Sequence, residues 1–324
     1  MWAQLCRSWG DVDDLEFDET PEPEMVEGGV RINVKAAGLN FADTLMIKGE
    51  YQVKPRHPFS PGLEVSGVVI ECAAGVTRVK EGDRVMAIVH YGGFAEQVVA
   101  HENDVFVIPD NMDFINAAAF PVVYGTSHIG LKYKLKLQAG ETLLVNGAAG
   151  GVGLTAVEIG KKMGATVIAS AGGSEKLKVA SKMGADHLID YKTENIRDRA
   201  KIFTDGRGVD AVYDPVGGSA FDASLRAAAQ GGRVLVVGFA SGTVPQIPAN
   251  ILLVKNLSVI GFYWGAHRIL APDLIATSFD ELLGWYEAGD LKPHVSHTYD
   301  LADASAALKK LSSREATGKI VLEM

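Results

Sequence analysis

Between Val145 and Gly173 the chain reads "VNGAAGGVGLTAVEIGKKMGATVIASAGG", and this segment constrains the fold more than any other. The apolar run "GETLLV" enters a glycine-rich turn, Ala148-Ala149-Gly150-Gly151-Val152-Gly153, and a second apolar run, "ATVIASA", closes the segment. Between them Val152, Ala156, Val157, Gly160 and Met163 recur at helical spacing, with Glu158, Lys161 and Lys162 expected to point away. Gly164 supplies the helix stop. The spelling departs from GxGxxG, so the weight lies in the context of strand, loop, helix and strand. Gly150 and Gly151 let the backbone approach a pyrophosphate, and Gly153 lets the helix pack close to the strand. The helix N-terminus, with Val152, offers free N–H groups to the anion. A glycine-rich turn with no ligand is the competing reading, and the surrounding pattern weighs against it.

About 20 residues beyond such a loop, an acidic side chain usually accepts hydrogen bonds from the adenosine ribose. Here the place holds Ala169-Ser170-Ala171. With no carboxylate to bind the 2′-OH and repel a 2′-phosphate, NADPH is expected over NADH. Glu175 is the nearest acid in sequence, but it follows Ser174 in the first turn of a helix, where it complements the helix dipole.

The rest of the chain frames this unit. Residues 1–121 hold short alternating runs such as "GGVRINVKAAGLN" and "GDRVMAIVHYGGFAEQVVA", separated by glycine and proline, and predict a mostly β domain. From 122 to 261 strands alternate with helices, which predicts a parallel, doubly wound sheet of Rossmann type. Helices around "SFDELLGWYEAG" and "DASAALKKL" and a strand in "GKIVLEM" make up 262–324. A length of 324 residues suits two domains, and a formal net charge of −9 offers no basic surface for nucleic acid. No apolar run is long enough to span a membrane, and the start turns acidic too soon for a secretory signal. Only Cys6 and Cys72 occur, which builds no disulfide framework and fits a reducing compartment, with the cytoplasm as the expectation.

Taken together, "AAGLNFADTLMIKGEY", "FSPGLEVSGVV", "GGFAEQVV", "AAAFPVVYGTSH", "NGAAGGVG", "GADHLIDY", "GGRVLVVG" and "ATGKIVL" run almost end to end. On these motifs the chain resembles the medium-chain dehydrogenases/reductases of the quinone oxidoreductase, zeta-crystallin-like, branch. The resemblance implies a GroES-like catalytic domain at 1–121, with a C-terminal return at 262–324, and a Rossmann domain that binds NADPH at 122–261. It places Asn40 and Tyr51 at the substrate cleft and Thr126 beside the nicotinamide. Asn40 and Tyr51 each carry a donor for a carbonyl oxygen. Simpler roles compete: a turn residue for Asn40, a packing aromatic for Tyr51, a helix cap after Gly125 for Thr126. Lys176 and Tyr191 are implied as 2′-phosphate contacts with Arg314 from the C-terminal segment, Gly172 as part of the cofactor site, and Gly238 and Phe239 as neighbours of the nicotinamide.

Members of the wider superfamily hold a catalytic zinc with Cys and His in the first domain; here Asn40 stands near the Cys slot and Leu63 at the His slot. His294 and His297 have H-x2-H spacing but no third ligand nearby, so no metal is expected. Oxidation of a plain alcohol relies on a cation to hold the alkoxide, so the expected acceptors are already electrophilic: quinones, or enones and enals. Many quinone reductases of this type carry a tyrosine where Leu45 stands, which leans toward C=C reduction. A low-turnover NADPH-binding structural or regulatory protein is the reading from another class. The apolar segment "NLSVIGFYW" is expected at a sheet edge, pairing two Rossmann sheets in a homodimer, with a buried internal strand as the alternative.

Overall fold

The computed structural model describes residues 1–324 and divides into two compact units, Met1–Val123 with Phe279–Met324, and Tyr124–Ser278. The expected return at 262 is corrected, because the segment 262–278 belongs to the second unit. The reason is local: Ser278 is fully buried and its Oγ lies 2.7 Å from His128 Nδ1, inside that unit. The division therefore falls within the helix Pro272–Glu287.

The first unit is built on a seven-stranded sheet of mixed direction. Its centre is the long strand Gly29–Gly38, antiparallel to Glu64–Cys72 on one side and to Lys319–Glu323 on the other. Alternating apolar residues bury one face of these strands, so Ile32, Val65, Val85, Phe94 and Leu322 form a common core. The register has a consequence for chemistry. Gly38 pairs with both Val321 and Glu64, so two steps further on Lys319 comes level with Asn40. Residues nearly the whole chain apart in sequence are thereby neighbours.

The second unit carries a six-stranded, wholly parallel sheet. Its order is His187–Asp190, Thr166–Ala171, Thr142–Asn146, Val209–Asp214, Ala228–Val236, Ser258–Gly261. Leu144, Ile168, Val212, Phe221, Leu225 and Val234 fill its core. Chain order reverses between Thr142–Asn146 and Val209–Asp214, the place where open α/β sheets bind ligands beyond the strand ends. Ser258–Gly261 is an edge strand, so the alternative of a buried internal strand is not realised.

Two local expectations are corrected. Glu158 does not face away; it is buried, and its Oε2 accepts a 2.6 Å hydrogen bond from the equally buried Tyr124 hydroxyl. Helical periodicity marks faces but does not reveal that a neighbouring element covers both. Thr126 caps nothing, because its helix starts at Pro121, a residue preorganised for the first helical position.

Candidate functional site

The glycine loop sits at the reversal point of the parallel sheet. Gly150 is the N-cap of the helix Gly151–Lys162 in extended conformation, and a Cβ on it would stay 3.5 Å from its nearest neighbour. Gly153 is different: a Cβ there would drive into the Gly147 carbonyl oxygen, so helix and strand approach only without a side chain. The first turn of the helix leaves its N–H groups without intrahelical partners. Val152 is half-buried beside them. Loop and helix end together make a cradle for an anionic bridge.

At the end of the second strand Ala171 is buried and no acid occupies its position. A carboxylate that sequence distance concealed stands level with it. Asp190 pairs with Ala171 across the sheet, and its Oδ1 accepts from Gly173 N at 3.0 Å and Lys192 N at 3.1 Å. It is tied into the turn rather than offered outward through that oxygen. Glu175 is exposed at the surface, where its Oε1 accepts from Lys178 Nζ at 2.6 Å, which lowers its pKa. The Tyr191 hydroxyl lies over Gly172, where a Cβ would meet it at 2.7 Å, and Tyr191 is itself half exposed. Lys176 is half-buried on the helix Ser174–Lys182 that follows. Gly172, Lys176 and Tyr191 therefore gather at one end of the sheet. Gly238 follows the strand Ala228–Val236, and Phe239 next to it is exposed. Arg314 belongs to the first unit, exposed after the helix Ala304–Ser312 with φ 58.

In the first unit Asn40 is the N-cap of the helix Phe41–Ile47 and forms part of a buried polar cluster. Its Nδ2 donates to Glu64 Oε1 at 2.8 Å, and its Oδ1 accepts from Lys319 Nζ at 2.9 Å. Lys319 Nζ also donates to Glu64 Oε1 at 2.7 Å and to the Leu39 carbonyl. Glu64 Oε2 accepts from Val122 N at 2.7 Å. Gly38 makes room for this, since a Cβ there would press on Glu64 Oε1 at 2.8 Å. Asp43 is fully buried, and its Oδ2 accepts from Asn40 N at 2.7 Å while its Oδ1 has no partner. Burial pushes its carboxyl up to about 7, with Glu64 adding to the effect and Lys319 opposing it. The Lys319 ammonium is paired directly with Glu64, while Asp43 is held by backbone and stands one step further off.

The sequence reading missed Asp43, Glu64 and Lys319, although each stood inside a quoted motif. The available signal was a charged residue within an apolar strand run, as in "GLEVSG" and "GKIVL". Tyr51 is half-buried against the core of the same unit, Leu63 is buried, and Thr126 is buried inside the helix Pro121–His128 of the second unit's chain start. His294 Nε2 lies 2.9 Å from Thr317 Oγ1 and His297 Nδ1 lies 2.9 Å from Ser296 Oγ. No three His, Cys, Asp or Glu side chains gather in a set that could hold a metal ion.

A parallel sheet with a glycine loop at its reversal point, joined in one chain to a β-rich unit, defines a dinucleotide-binding oxidoreductase architecture. Comparison with known proteins makes this specific. Residues 26–110 match the alcohol dehydrogenase GroES-like domain and residues 151–280 the family described as zinc-binding dehydrogenase. The chain is 43% identical over 322 residues to a quinone oxidoreductase-like protein 2 homolog of Nematostella vectensis, covering 99% of this chain and 88% of that one. It is 35% identical over 317 residues to a quinone oxidoreductase of Pseudomonas aeruginosa, 97% of each. The crystal structure of Escherichia coli quinone oxidoreductase complexed with NADPH superposes with a TM-score of 0.92 at 29% identity, covering 100% of both chains. The chain belongs to the medium-chain dehydrogenase/reductase family, among its quinone oxidoreductase-like enzymes.

Proposed function

We propose that the protein transfers reducing equivalents from NADPH to a planar, electrophilic acceptor of the quinone class, without a metal ion. The observation that carries the reading is the glycine cradle at the sheet reversal, with Ala171 rather than an acid closing the second strand. Gly150, Gly151, Val152 and Gly153 would hold the pyrophosphate, and Gly172, Lys176 and Tyr191 the 2′-phosphate, with Arg314 a further candidate. Gly238, Phe239 and Thr126 would border the nicotinamide. When bound, the cofactor supplies the hydride equivalent. The Escherichia coli relative, crystallised as a complex with NADPH, supports the choice of cofactor.

The metal-free reading rests on the donor set. Where a zinc site would need Cys and His, the chain has Asn40 and a buried Leu63. The oxygens of Leu39, Asn40 and Glu64 already converge on the Lys319 ammonium, a tethered cation in that place. Asn40 enters the reaction in a narrower role than a free donor. One N–H is committed to Glu64, and the other points at the Gly38 carbonyl at 3.4 Å, a weak contact that an acceptor oxygen could replace. Tyr51 would supply a second donor. A C=C reductase is the second reading, favoured by the half-buried Leu45 where a tyrosine hydroxyl would otherwise stand. NADPH consumption by the wild-type protein with benzoquinone and with an aliphatic enone, in parallel, separates the two.

Assembly as a homodimer through Ser258–Gly261 fits an unpaired sheet edge flanked by exposed Tyr263, Leu253 and Val254. Light scattering at a monomeric mass would reject it. The unpaired Cys6 and Cys72 fit a reducing compartment such as the cytoplasm. No helix is long and apolar enough to cross a membrane.

A further inference from the structure

Asp214 ends the strand Val209–Asp214, and Asn146 ends Thr142–Asn146, so the two strands that flank the sheet reversal finish in polar side chains. Both are buried. A carboxylate in that position needs several donors, and Asp214 has them. Its Oδ1 accepts from Asn146 Nδ2 at 3.0 Å and from Val216 N at 3.2 Å, and its Oδ2 from Gly217 N at 3.1 Å. Asn146 Nδ2 also donates to Ser224 Oγ at 2.9 Å. The carboxylate thus ties the root of the glycine loop to the turn 215–217.

That turn supports two further segments. Gly147, with φ 59, rests against Val216, whose Cγ2 a Cβ would meet at 3.0 Å. Gly147 in turn accepts from Gly150 N at 3.0 Å, and its carbonyl is the atom that forbids a side chain on Gly153. On the other side Ala240 N donates to Pro215 O at 3.0 Å, Ser241 N to Val216 O at 2.9 Å, and Gly218 N to Thr243 O at 3.1 Å. The turn 215–217 therefore sets both the glycine loop and the segment after Gly238.

We propose that Asp214 is a positioning residue for the dinucleotide: by fixing the turn 215–217 from below, it holds the pyrophosphate loop and the 239–243 segment at the spacing that binding requires. The inference rests on the NADPH reading above. An acceptor-only group is required because three N–H donors converge; an amide in its place sets an NH2 against at least one of them. Asp214 touches no part of the ligand in this role, and its effect passes through backbone.

Asp214→Asn and Asn146→Ala should each weaken NADPH roughly tenfold or more in a fluorescence titration of the whole protein, the loss of one charge-assisted bond. The control is Thr204→Val. Thr204 Oγ1 donates to Ala200 O at 2.8 Å and accepts from Gly208 N at 2.9 Å, and it precedes the strand Val209–Asp214 at its opposite end. That variant should lower the melting temperature while keeping wild-type affinity. Asp214→Asn with wild-type affinity would overturn the inference, as would an equal loss in Thr204→Val, which would mean general loosening. Should Asp214→Asn fail to fold, Asn146→Ala decides by the same criterion. A wild-type protein that binds neither NADPH nor NADH would refute the cofactor reading and this inference with it, a result distinct from an unchanged variant.

Discussion

Asp43→Asn should stabilise the protein at neutral and alkaline pH and leave it unchanged in acid. Asp43 is fully buried, and its carboxyl is raised from 3.8 to about 7 by burial. Across that window the native state holds a proton that the unfolded chain has released. Stability conferred by the raised group is fully present below about pH 4 and declines as pH rises to about 7, beyond which it stays level. The difference between 3.8 and about 7 corresponds to ~4 kcal/mol, a large share of the net stability of a typical domain. Asparagine mimics the protonated acid. One oxygen can still accept from Asn40 N, and its NH2 replaces Oδ1, which has no partner in the native protein. The variant and wild type should therefore converge in acid and separate by ~3–4 kcal/mol at about pH 8. Urea unfolding of both, side by side, cancels every other titrating group. Trp2, Trp9 and Trp285 all lie in the first unit, so tryptophan fluorescence reports mainly on it. A difference that does not change with pH, or a variant that is weaker at alkaline pH, would refute the raised Asp43 carboxyl.

Lys319→Met should cost ~3–5 kcal/mol, because it leaves Glu64 as a buried carboxylate without its cation; adding Glu64→Gln should recover part of the loss in thermal unfolding. Gly153→Ala should abolish NADPH binding measured by titration while the first unit keeps its own unfolding transition, since the added methyl meets the Gly147 carbonyl. Lys176→Ala should weaken NADPH about tenfold and spare NADH, as expected for one charged hydrogen bond to a 2′-phosphate. Equal affinity of the wild-type protein for the two cofactors would remove the basis for that last prediction.

The parallel unit was largely legible in the sequence because its signals are local. An apolar strand, a glycine turn and a helical face within one segment leave few alternatives, whereas the apolar segment around Ser258–Gly261 fitted an edge or an internal strand alike and only the strand order decides for the edge. The polar cluster of the first unit was not legible for the opposite reason. Lys319 meets Asn40 and Glu64 only through the antiparallel register of three strands, which no local pattern encodes. The same limit explains Asp190, hidden from Ala171 by sequence distance and brought level by strand pairing. Glu158 was misplaced because periodicity does not know which element will cover a helix, here Tyr124. Asn40, expected at the substrate cleft as a donor, stands inside this cluster, and its neighbours narrow what it can donate.

We propose above that NADPH held at the glycine cradle reduces an electrophilic, planar acceptor without a metal ion. The most direct measurement is NADPH consumption by purified, chelator-treated protein offered benzoquinone, with NADP+ and a primary alcohol as the comparison. The expected result is turnover of benzoquinone that chelator does not diminish, with little reaction with the alcohol. Activity confined to the alcohol, or activity that chelator removes and added zinc restores, would contradict it.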